Sequence, residues 1–158
     1  MKYLLITGKK DDGKSTTIQE LCRQLNPKEV WELEISHNDL KESKLNESKV
    51  ELIFNNVFVI TVNGHNILVV AGCPTELSIR ISIIIEICEI LCVRISFAIV
   101  AKRFFERKDG FNTLEELSSA GTFIHEEMIS KIDNSSFQEC EIWKERIARL
   151  KLIILENI

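Results

Sequence analysis

The sequence predicts a three-layer α/β domain: a mostly parallel sheet with one antiparallel hairpin, covered by helices on both faces. Three observations predict it. Apolar runs of strand length alternate along the chain with amphipathic runs of helical length. The first strand run lacks period-2 alternation, as a strand covered on both faces does. Asn63-Gly64 separates two β-rich runs, the strongest short-range hairpin signal, because both turn residues need positive φ. The chain has 158 residues, the size of one domain, and residues 1–158 read as a single domain without repeat or linker.

Lys2–Thr7 reads as a short buried strand. Lys14–Leu25 reads as a helix, since Ile18, Leu21, Cys22 and Leu25 fall at i, i+3, i+4 and i+7. Asn26-Pro27 stops it, because a residue before proline is pushed out of helical angles. Val30–Ile35 reads as a strand. The polar stretch Ser36–Lys49 reads as a loop, a mobile segment or a surface helix. Val57–Val62 and Asn66–Ala71 form the expected hairpin. Ile79–Leu91 fits both periods; its length and the crossover that a parallel sheet requires favour a helix, with Thr75 as a candidate cap. Ile95–Ala101 is a further buried strand. Asn112 or Thr113 caps a helix through Leu117. A last helix runs from about Glu139 toward Glu156, where Ile142, Arg146 and Arg149 give a mixed face.

Lys+Arg 20 against Asp+Glu 24 gives a formal charge of -4, so no broad basic field exists for nucleic acid or an anionic membrane. The most membrane-like stretch, Ile79–Val100, is interrupted by Arg80, Glu86, Glu89 and Arg94. Each charge at a bilayer centre costs about 2.5–3.5 kcal/mol, which argues against a span. The first residues carry no signal-peptide pattern. Five cysteines cannot all pair within the chain, and Cys88 and Cys92 lack the second pair of a zinc site. A cytoplasmic protein with thiols serving as small core hydrophobes is the expectation.

Gly8-Lys9-Lys10-Asp11-Asp12-Gly13-Lys14-Ser15 fits G-x-x-x-x-G-K-S/T at every fixed position, between a buried strand and an amphipathic helix. Polyphosphate needs several convergent donors, and the backbone N–H groups of such a loop supply them. Glycine at positions 8 and 13 permits close approach. The helix adds the positive end of its dipole and its unpaired N–H groups. The segment resembles the P-loop NTPases. That resemblance covers the first 25 or so residues and implies Mg²⁺ with ATP or GTP, ATP being preferred because the guanine-reading N-K-x-D is absent. It implies that Lys14 bridges the outer phosphates and that Ser15 ligates the metal. Thr16 and Thr17 would lie near the inner phosphates or the base. Asp11 and Asp12 each repel a triphosphate by about 1 kcal/mol at roughly 4 Å in water, so they point outward, pair with Lys9 or Lys10, or contact a metal. Lys9 stands where the MinD-like dimerising class carries a lysine that reaches the partner's nucleotide; otherwise it is a solvated charge.

The acidic partner of such a loop is harder to place. The hairpin leading into Ala71-Gly72 is similar to that of the small GTPases, whose strand ends in D-x-x-G, but the aligned position is Val69. Glu76 is the nearest replacement carboxylate. Asp39, just past the second strand, resembles the Asp that handles the acceptor hydroxyl in small-metabolite kinases, and it is also a metal candidate. His37 and His65 read as surface residues. Arg103 and Arg107, one helical turn apart, resemble the arginine-bearing lid of those kinases.

Three functions follow as expectations. The first is Mg-dependent NTP hydrolysis that drives loop or partner changes, with a protein partner or a second copy as the listener. The second is phosphoryl transfer to a small metabolite. The third is nucleotide sensing without turnover.

Overall fold

In the computed structural model, which describes residues 1–132 and 136–158, seven strands among the described residues form one mixed sheet. The elements run β1 (Lys2–Gly8), α1 (Lys14–Gln24), β2 (Glu29–Glu34), β3 (Lys44–Glu47), β4 (Val57–Val62), β5 (His65–Val70), α2 (Pro74–Leu77), α3 (Ile81–Ile90), β6 (Phe97–Arg103), α4 (Thr113–Ala120), β7 (Thr122–Met128) and α5 (Glu141–Leu155). Spatial order is β3-β2-β4-β5-β6-β1-β7.

β1 pairs in parallel with β6 and β7, and β5 in parallel with β6. The β2–β3, β2–β4 and β4–β5 pairings are antiparallel. The sheet is therefore evenly mixed rather than mostly parallel. The reason lies in the short links on the β3 side, which are too short for a crossover.

Alternation along β1 sorts the core. Leu4 and Ile6 face α1 and α5 with Ile18, Leu21, Trp143, Ile147 and Leu150. Tyr3 and Leu5 face α3 and α4 with Ile81, Ile84, Ile87 and Leu117. Helices thus cover both faces, giving three layers. Each fully buried Ile or Leu contributes roughly 1.5–3 kcal/mol by leaving water.

The hairpin forms as read, with Asn63 at φ 51° and Gly64 at φ 78°. Ile81–Ile90 is helical, as its length required. Its cap differs: Arg80 occupies the N-cap, and Thr75 lies inside the short α2. Asn112 caps α4 by accepting from the Glu115 N–H at 3.2 Å.

Two strands were not expected. Lys44–Glu47, within the polar stretch, pairs with β2 as an edge strand. Thr122–Met128 pairs with β1, although its His125-Glu126-Glu127 run looks unlike a sheet interior. No helix among the described residues is long and apolar enough to cross a membrane.

Candidate functional site

β1 ends at Gly8, and the chain turns through Lys9–Gly13 into α1. Two residues of the turn have left-handed angles, Asp11 at φ 61° and Gly13 at φ 88°. A Cβ on Gly8 would stand 3.0 Å from Ile129 Cγ1 and 3.1 Å from Ile129 O, so the loop start lies tight against the chain after β7. Gly13 is the N-cap of α1 and has no side chain to satisfy the helix amides. Among the described residues, nothing accepts from the N–H groups of Gly13, Lys14, Ser15 or Thr16. Unpaired donors at a helix start favour a negative charge beside them.

Lys14 is buried, and its Nζ donates to Gly8 O at 3.1 Å and Lys9 O at 2.6 Å. Among the described residues it has no carboxylate partner. A buried ammonium solvated by carbonyl dipoles keeps its charge, and so its attraction for an anion. Asp12 answers the question of the loop carboxylates: it accepts from the Lys9 N–H at 2.8 Å and pairs with neither lysine side chain. Ser15 donates to Ala71 O at 2.8 Å, and Thr17 donates to Gly13 O at 2.8 Å.

A cleft of about 630 Å³ opens over this loop, lined by Lys10, Asp11, Gly13, Lys14, Ser15 and Thr16 from the loop side. Phe54, Asn55, Ala71, Cys73, Glu76 and Arg103 line the other side. Glu76 reaches it from α2 and forms an ion pair with Arg103 at the end of β6. Cys73 is buried, and that burial pushes its thiol up to about 11, against the opposing pull of Lys14.

The site residues read from the sequence divide. The loop residues, Glu76 and Arg103 come together. Val69 is fully buried in β5, and β6 stands between β5 and β1. Asp39 does not join them: it is exposed, caps a 3-10 turn by accepting from the Lys41 N–H at 3.0 Å, and follows β2. At about 4.8 Å per strand step, β2 lies roughly 19 Å from β1 across the sheet. Arg103 and Arg107 are not one helical turn apart, since Arg103 ends β6 and a non-helical segment follows. They still share a second cleft of about 640 Å³ with Lys9, Lys10, Lys108, Phe104 and Phe105, next to the first.

On the other side of the loop lies a cavity of about 540 Å³, lined by Asp11, Asp12, Gly13, Thr16 and Thr17 and by Ser130, Lys131, Ile132, Phe137, Trp143 and Arg146. The last six escaped the sequence reading as site residues. A signal was present: Arg146 falls on the apolar stripe Trp143, Ile147, Leu150 and Ile154 of α5, where a charge is out of place.

Among the described residues no group of three or more His, Cys, Asp or Glu could hold a metal ion alone. Magnesium needs fewer, because it keeps several waters and takes one or two protein ligands beside substrate phosphates. The Ser15 hydroxyl fits this demand: its proton is committed to Ala71 O, which leaves its lone pairs for a cation. Glu76 supplies a carboxylate on the opposite wall of the same cleft, and Asp11 one on the loop side. In comparisons with known proteins, no family model, no curated protein and no solved structure matches the chain.

Proposed function

We propose that the chain binds a nucleoside triphosphate with Mg²⁺ on the Gly8–Ser15 loop and hydrolyses it. The observation that carries this reading is the set of four N–H groups at Gly13–Thr16 that, among the described residues, have no acceptor, beside the buried ammonium of Lys14, which among those residues has no carboxylate partner. A polyphosphate satisfies both at once. Lys14 exchanges its two loop carbonyls for phosphate oxygens. Ser15 would hold the metal, which would neutralise phosphate charge. Glu76 would orient a water in the same cleft, and Arg103 would stabilise charge that develops on the transferred phosphoryl group.

The Glu76–Arg103 ion pair couples this chemistry to shape. A triphosphate competes for Arg103 and a cation competes for Glu76, so loading pulls the pair apart. α2 and the end of β6 then reset. The exposed Phe104 and Phe105 follow directly after β6, where a partner protein or a second copy can read the change.

The second cleft favours one other reading. Its lining of Lys9, Lys10, Arg103, Arg107 and Lys108 suits an anionic acceptor, which would make the chain a phosphotransferase. Phosphate release with ATP and GTP, with and without Lys14→Ala, tests the main reading. Release that needs Lys14 and no added metabolite supports hydrolysis, and release only with an acceptor supports transfer. Tight binding with no release leaves a sensor.

A further inference from the structure

The cavity on the far side of the loop has a feature that the phosphate chemistry does not use. Arg146 is buried at 8% exposure and lines this cavity. A guanidinium carries five N–H donors. Its Nε has no hydrogen-bond partner among the described residues. Among the described residues the nearest carboxylate, Glu127, stands 3.7 Å away, beyond hydrogen-bond length. Glu127 is also committed elsewhere: its Oε1 accepts from Arg149, and its Oε2 contacts His125 Nε2 at 2.9 Å. One carboxylate thus serves two arginines, and Arg146 receives the lesser share. Nε is itself sealed from the cavity, so a ligand there would meet the terminal N–H groups of the guanidinium, whose imperfectly compensated charge favours acceptors.

The rest of the cavity defines that ligand. Trp143 and Phe137 meet edge to face at 5.1 Å, and Ile132 adds apolar surface. Such walls suit a flat heterocycle and not a triphosphate. The cavity shares Asp11, Gly13 and Thr16 with the phosphate cleft, so one ligand can occupy both. Arginine donates only, so the heterocycle must present acceptors to it. Two adjacent acceptors that match a guanidinium fork are O6 and N7 of a 6-oxopurine, whereas adenine puts an amino donor at position 6. Asp11 and Asp12 also line the cavity and would favour a donor, while Lys131 lines it as a second, exposed cation and Ser130 as a hydroxyl. Asp11 is solvated by exposure and Asp12 already accepts from the Lys9 N–H, whereas Arg146 has only the long contact to Glu127 among the described residues.

We infer that this cavity is a nucleobase pocket in which Arg146, with Trp143 and Phe137 as walls, selects a 6-oxopurine. The inference rests on the phosphate reading above and goes against the preference for ATP drawn from the missing N-K-x-D.

The test titrates the full chain with GTP, ITP, ATP, UTP and inorganic triphosphate, all with Mg²⁺. It uses Trp31→Phe so that Trp143 is the one remaining tryptophan. GTP and ITP should bind roughly tenfold or more tighter than ATP and UTP. Emission from Trp143 should change with GTP and stay constant with inorganic triphosphate. Arg146→Met should bring GTP and ATP to within about twofold of each other by removing the fork. Should that variant fail to fold, the base series on the parent chain decides alone. ATP binding as tightly as GTP, Trp143 emission unmoved by GTP, or a GTP preference that survives in folded Arg146→Met would overturn the base pocket while triphosphate binding leaves the phosphate site standing. Binding of neither triphosphate nor any nucleotide would overturn both.

Discussion

The Ser15 hydroxyl donates to the Ala71 carbonyl at 2.8 Å, tying the first turn of α1 to the residue that follows β5. The bond orients the oxygen that the proposal gives to magnesium. Ser15→Ala should therefore cancel the gain in nucleotide affinity that Mg²⁺ provides, and cost about 1 kcal/mol of stability for the lost bond. Titrations with magnesium and with a chelator measure the first effect. A magnesium gain that persists in the variant would remove Ser15 from the metal's shell.

Gly13 should tolerate substitution poorly for a reason of backbone alone. A Cβ there meets nothing within 4 Å, yet φ is 88°. Gly13→Ala should lose about 1–2 kcal/mol in chemical denaturation, the cost of left-handed angles for an L-residue. It should also weaken triphosphate binding, because relief of that strain turns the adjacent amides. A variant as stable as the parent would show that the loop adapts freely.

Glu76→Gln keeps the size of the side chain and removes the charge that pairs with Arg103. Nucleotide binding should survive, and phosphate release should slow by about tenfold or more if Glu76 orients the water. An unchanged release rate would assign Glu76 to holding Arg103 only.

The buried thiols predict the alkaline limb of stability. Burial pushes both Cys73 and Cys88 up to about 11. A thiol with a raised folded pKa holds its proton in the native state after the unfolded chain has released it. Its stabilising contribution is complete below the unfolded value near 9 and is lost as pH climbs toward 11. Each thiol should take away on the order of 1 kcal/mol per pH unit in that window. Cys88→Ala should flatten the slope of denaturation free energy against pH between those values, and an unaltered slope would contradict the assignment.

Local signals carried much of the fold. The Gly8–Ser15 spacing, the α1 stripe and Asn63-Gly64 act over few residues, and each appears where the sequence placed it. Elements whose order comes from neighbours were less legible. β7 holds Glu126 and Glu127 in a strand because Thr7 donates to Glu126 at 2.7 Å and two arginines of α5 gather around Glu127. No window on β7 alone carries those partners. Strand order was equally hidden: Asp39 follows a strand that lies four places from β1, and proximity along the chain says nothing of that distance. Arg146 was legible as an anomaly on an apolar stripe, and only the fold gave it a cavity to face.

Calorimetric titration of the chain and of Lys14→Ala with magnesium and inorganic triphosphate bears most directly on the loop as an anion cradle. The parent should bind with favourable enthalpy, and the variant should lose tenfold or more in affinity while remaining folded. Equal affinity in the two proteins, or no heat from either, would contradict the account.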